Sequence, residues 1–159
     1  MSIDVTQAQE ISSRIPADFT LGVATSSWQI EGSSHSRGRS IWDDFAQTPG
    51  KILDGATADP ACDHLNNIPG DLDLIQGLGA NAYRFSLSWP RVMHEGMGKV
   101  SLAGLDVYDR IVDGALERGL APFATLYDWD LPSALQDKGG WLSPDSHRWF
   151  ADYAHLVGE

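Results

Sequence analysis

Three short runs of strand character, at residues 19–27, 81–89 and 121–128, are each followed by a stretch with helical spacing, and this alternation constrains the fold more than any other feature. The middle run is the clearest. Tyr83, Phe85, Leu87 and Trp89 recur at period two, with Arg84, Ser86 and Ser88 on the opposite face. A helix is predicted after Pro69 from Leu72, Ile75 and Leu78, stopped by Gly79. A second is predicted from a Ser101 cap, burying Leu105, Tyr108, Val112 and Leu116 and ending at Gly119. Ser143 and Pro144 read as the cap and first residue of a third, carrying Trp149, Phe150, Tyr153, Leu156 and Val157.

Strand–helix alternation at this spacing predicts an α/β fold of parallel strands joined by right-handed crossovers. A doubly wound sheet would carry a glycine-rich phosphate turn after its first strand, and neither G-x-G-x-x-G nor G-x-x-x-x-G-K-[ST] occurs, so no cofactor is implied. The alternative is a (β/α)8 TIM barrel, whose functional groups sit at the C-terminal ends of strands. Such a barrel takes about 250 residues. The 159 here predict an incomplete barrel, roughly its first three βα units. Residues 1–15 carry few large apolar groups and read as a polar N-terminal arm, with the barrel portion covering 16–159. The segment from 32 to 67 reads as mostly loop, long enough to shape a site.

Charge narrows the partners. Lys and Arg number 11 against 22 Asp and Glu, a balance of −11, and the cations form no stripe, so nucleic acid and anionic membrane surfaces are disfavoured. No apolar run reaches a membrane span and the first residues lack a signal-peptide pattern, which predicts a cytoplasmic protein. Cys62 stands alone and is expected as a buried free thiol.

At the three strand ends the chain places Trp28, Gln29 and Glu31, then Arg84, Ser86 and Trp89, then Asp128, Trp129 and Asp130. Donors and acceptors that grip hydroxyls, beside aromatic faces that cover a pyranose ring, are the requirements of a carbohydrate site. Taken singly, each Trp reads as packing and an Arg on a strand as the partner of a buried carboxylate. Their joint occurrence at successive strand ends points to sugar. Asp128 and Asp130 without a third nearby ligand make a weak metal signal, and no metal is expected. Glu31 reads as a loop anchor rather than a substrate ligand.

The segments FTLGVATSSWQIEG (19–32), IWDDF (41–45), ACDH (61–64), NAYRFSLSWPRV (81–92), GLDVYD (104–109) and TLYDWDLPSAL (125–135) with GGWL resemble, in this order, family 1 glycoside hydrolases of the β-glucosidase type. The resemblance implies a (β/α)8 barrel of retaining β-glycosidases acting on β-glucosides or oligosaccharides. It implies that Gln29 binds two hydroxyls of the glycone, that Trp129 bonds to and packs on the same sugar, and that Arg84 lies beneath the nucleophile and keeps it ionised. Asp128 stands where the family motif usually has a His donor. An ionised Asp only accepts hydrogen bonds, so the bound hydroxyl must reverse its role.

The resemblance also implies two catalytic glutamates, in a T-[FL]-N-E-P motif and an [ENG]-type motif. The glutamates present are Glu10, Glu31, Glu95, Glu117 and Glu159, none in either motif. The chain alone is therefore expected to be inactive, ending shortly before the strand that brings the first catalytic Glu. A non-catalytic sugar-binding or complementing half-barrel is the alternative, paired with a C-terminal half or with itself through an open sheet edge.

Overall fold

A computed structural model describes residues 4–158. Helix α1, Val5–Ser13, occupies the polar N-terminal stretch, where Asp4 caps it by accepting the Thr6 amide at 3.0 Å. Residues 1–3 of that stretch, and Glu159, lie outside the described residues. Strand β1 is Gly22–Thr25, followed by the single-turn α2, Ser27–Ile30, and by α3, Ile41–Gln47. Helix α4 is His64–Gly77, β2 Ala82–Ser86, α5 Trp89–Val92, α6 Leu102–Glu117 and β3 Ala121–Thr125. The short α7, Ser133–Gln136, and α8, Ser146–Val157, complete the set.

The three strands form one parallel sheet in the order β1-β2-β3. Its register puts Val23, Tyr83 and Pro122 side by side on one face and Ala24, Arg84 and Phe123 on the other. The first face is covered by helices: Tyr83 and Phe85 join Leu72 of α4, Ile111 of α6 and Tyr153 of α8 in one core. The second face is uncovered, with Arg84 exposed and Phe123 52% exposed. An apolar side chain of this size contributes about 1.5–3 kcal/mol when fully buried, so the helix-facing side holds the sheet together.

Several boundaries differ from the sequence expectations, for local reasons. The strands are shorter because the ladder ends where the chain turns into α2 and α5. Helix α4 begins before Pro69 and runs through it; its first turn is held by the Leu65 amide donating to the Glu31 carbonyl at 3.3 Å and by the Asn67 side-chain amide donating to the N-cap Asp63 carbonyl at 2.9 Å. Ser101 caps α6 as expected, accepting the Gly104 amide at 3.2 Å. The buried stripe of α6 is different, running through Gly104, Val107, Tyr108, Ile111 and Ala115, with Leu116 57% exposed. Small residues explain the shift: a Cβ at Gly104 would lie 2.2 Å from the Arg91 carbonyl, so the helix lies against α5 where only glycine fits. Ser143 and Pro144 form a lead-in turn, and α8 starts two residues after the expected Pro144, at Ser146.

Ser86 and Ser88, expected on a polar face, are both buried, because the chain beyond the strand ends folds over them. Segment 32–67 is partly helical, through α3 and the start of α4. Cys62 is exposed rather than buried, in a turn between left-handed Ala61 and Asp63, outside the core. Among the described residues no helix is long and apolar enough to cross a membrane.

Candidate functional site

Beyond the C-terminal ends of β1 and β3 lies a cleft of about 230 Å³ lined by Ser26, Trp28, Gln29, Trp42, Asp128 and Trp129. Gln29, Asp128 and Trp129, three of the four sequence-predicted site residues, thus come together. Arg84 does not line it. Its side chain lies on the uncovered sheet face, donating from Nε to Thr125 Oγ1 at 2.7 Å, and among the described residues it makes no ion pair. The cleft offers an amide that donates and accepts, a carboxylate that accepts, and a Trp129 ring 68% exposed. Trp42, from the IWDDF segment of α3, is a lining residue that the strand-end reasoning missed.

The aromatic wall is fixed by Asp43. Its Oδ1 accepts the Trp28 indole N–H at 2.9 Å, while Arg37 binds both carboxylate oxygens, at 2.6 and 2.8 Å, and the Ser40 amide donates at 2.8 Å. The Ser40–Asp43 pair is also the capping box that starts α3, so one carboxylate positions both Trp28 and the helix carrying Trp42. The two indoles meet with centroids 6.0 Å apart. Burial works to raise the Asp43 pKa, but the Arg37 and Ser40 bonds outweigh it and hold the carboxyl down at about 2. A depressed folded-state value means stability present above the unfolded pKa and lost as pH falls from about 4 through about 2. We expect Asp43→Asn to remove about 2 kcal/mol at neutral pH and to flatten this acid limb, read from urea midpoints between pH 2 and 7.

Glu31 is buried, 4% exposed, and anchors the loop after α2. Its Oε2 accepts Arg91 Nε at 2.8 Å and its Oε1 accepts the Tyr108 hydroxyl at 2.8 Å. Burial first, then the Glu31 charge, push the Tyr108 phenol well above its ordinary pKa, so it stays the donor. Arg91 also donates to Ser36 Oγ and the Gly32 carbonyl, closing the loop on itself. Glu10, Glu95 and Glu117 are exposed, away from the cleft.

Asp130 follows the cleft residues but is 1% exposed, apart from half-buried Asp128. Among the described residues, no three His, Cys, Asp or Glu side chains gather as ligands for a metal.

The family model for glycosyl hydrolase family 1 matches residues 11–159. The chain belongs to that family. Over 148 residues this family 1 chain is 51% identical to β-glucosidase A of Thermotoga maritima, covering 92% of itself and 33% of the relative. It is 48% identical over 155 residues to a β-glucosidase of an Agrobacterium species, covering 96% of itself and 34% of the relative. The solved structure of the Thermotoga maritima β-glucosidase in complex with deoxynojirimycin superposes with a TM-score of 0.88 at 51% identity, over 91% of this chain and 34% of that one. The family 1 chain thus spans about a third of the length of these relatives, and corresponds to an N-terminal portion.

Proposed function

We propose that this chain supplies part of the glycone subsite of a retaining β-glycosidase that hydrolyses terminal β-D-glucosyl or similar residues, as roughly the first three βα units of its TIM barrel. The observation that carries the reading is the convergence of Gln29, Asp128 and Trp129 on one cleft at the C-terminal ends of parallel strands, in a member of this family. In this reading Gln29 grips two sugar hydroxyls, Asp128 accepts from one, and Trp129 covers the ring. Arg84, free of carboxylates among the described residues, keeps the nucleophile ionised once the barrel is closed.

Retention of configuration needs an acid/base and a nucleophile about 5–5.5 Å apart. Glu31 is committed to Arg91 and Tyr108, and Glu10, Glu95 and Glu117 lie off the cleft. In this reading both reacting carboxyl groups come from polypeptide equivalent to the other two-thirds of the relatives. Incubating the purified 159-residue chain with an aryl β-glucoside is expected to give no turnover. Turnover that survives rigorous repurification and Arg84→Ala contradicts the reading.

Asp128 sets a second test. In a barrel completed with the remaining strands of a family 1 relative, Asp128→His restores a donor that can also accept, and is expected to tighten deoxynojirimycin several-fold. An inhibition constant that is unchanged or weaker counts against Asp128 as a sugar ligand. A complementing half-barrel is the second reading, favoured by the uncovered sheet face where Phe123 is 52% exposed beside Arg84. Size-exclusion with and without a C-terminal portion separates the two, since a chain indifferent to that portion is no complementing half.

A further inference from the structure

Trp129, the most exposed aromatic of the cleft, has φ of 69°, a left-handed conformation that a bulky residue holds only when its neighbours fix it. On its C-terminal side the chain is tied down at Asp130. Ser27 Oγ donates to Asp130 Oδ2 at 3.2 Å, the Ser27 amide donates to Ser86 Oγ at 2.8 Å, and Ser86 Oγ lies 3.2 Å from Ser27 Oγ. Ser86 ends β2, Ser27 lies two residues past β1 and Asp130 five past β3, and all three are buried. A hydrogen-bonded chain thus ties the ends of β1 and β2 to the turn after β3, through residues adjacent in sequence to those lining the cleft. Ser27 immediately precedes Trp28 and Gln29, and Asp130 immediately follows Asp128 and Trp129. The other carboxyl oxygen, Oδ1, is buried with no hydrogen-bond partner among the described residues.

We propose that Asp130 is a positioning residue of the cleft: through Ser27 it holds the turn carrying Trp28 and Gln29 in register with the turn carrying Asp128 and Trp129. Its importance for sugar binding rests on the function proposed above; the mechanical coupling does not. The charged and titratable groups whose fields reach this carboxyl are Glu31, Arg37, Tyr127 and Tyr153. Burial, opposed by the Ser88 and Ser27 hydroxyls and reinforced by the Glu31 charge, raises the Asp130 pKa to about 7. Protonated, Asp130 carries no buried charge; ionised, it places a charge in the interior with one oxygen unpartnered among the described residues. The clasp consequently changes character near neutrality, and both turns should register the change.

The test is 19F NMR of the 159-residue chain labelled with 5-fluorotryptophan, its resonances assigned by single Trp→Phe variants. The Trp28 and Trp129 signals are expected to shift together with a common midpoint near pH 7, while Trp149, on α8, stays fixed. Asp130→Asn keeps an oxygen for Ser27 and removes the charge. It is expected to abolish the titration and leave both signals near their acid-side positions. Ser27→Ala keeps the carboxyl and cuts the tie; Trp129 should then still titrate and Trp28 should not. A Trp28 signal that never follows Trp129, or a joint titration that survives Asp130→Asn, overturns the proposal. If the Asn variant does not fold, the wild-type titration and Ser27→Ala decide alone. No sugar enters these readouts. A completed barrel that fails to bind deoxynojirimycin while the two signals remain coupled would remove the subsite reading and leave the clasp standing.

Discussion

Glu31→Ala is expected to destabilise the chain by about 3–5 kcal/mol, because it leaves the Arg91 guanidinium, 1% exposed, as a buried charge without its counter-ion. The loss goes beyond one ion pair. Tyr108 also loses the acceptor for its hydroxyl, and that hydroxyl accepts the Ser88 amide at 2.7 Å, so a second buried polar group is disturbed. Urea unfolding followed by tryptophan fluorescence measures the effect. Glu31→Gln separates charge from shape, since the amide retains one acceptor oxygen; it should recover a part of the loss and no more. If Glu31→Ala costs under about 1 kcal/mol, Arg91 has found another partner and the anchor does not hold the loop.

Trp89→Ala is the second large effect, also about 3–5 kcal/mol. Trp89 is fully buried, its ring stacked on Tyr153 with centroids 4.7 Å apart and planes 10° from parallel, with Phe150 edge-on at 5.8 Å. Its indole N–H donates to the Gly96 carbonyl at 3.0 Å. Truncation removes the surface that docks α8 on the rest of the core, and strands the Gly96 carbonyl. Trp89→Phe keeps the stack and loses the hydrogen bond, so it should cost clearly less. Near-ultraviolet circular dichroism should report loss of the aromatic signal in the Ala variant, and equal losses from both variants would assign the effect to the hydrogen bond alone.

What the sequence reveals here, and what it hides, follows from the range of each interaction. The Tyr83–Phe85–Leu87–Trp89 alternation and the Gly79 and Gly119 stops are read within a few residues, and the corresponding strand and helices are present. Strand ends are set by where a neighbouring strand stops pairing, which no single segment records. The α6 stripe went to larger side chains than the structure buries, because close approach to the Arg91 carbonyl selects Gly104 through a contact thirteen residues away in sequence. That Gln29, Asp128 and Trp129 lie at strand ends is legible because a strand end is a local landmark; their selection from among the strand-end residues is implied by the family resemblance. Trp42 arrives from a helix whose placement depends on the Asp43 capping box and its Arg37 partner. The clasp at Asp130 joins residues 103 apart in the chain, so nothing in its immediate neighbourhood announces it.

The strand order carries a consequence for synthesis. Since each strand lies beside the one made just before it, every rung of the sheet closes as the ribosome delivers the next unit, without awaiting a distant segment. In any longer polypeptide that contains this portion, the aromatic wall and its Ser–Asp stitching can assemble during translation. The naked side bearing Phe123 would meanwhile be the surface most in need of shielding by a chaperone until later strands emerge.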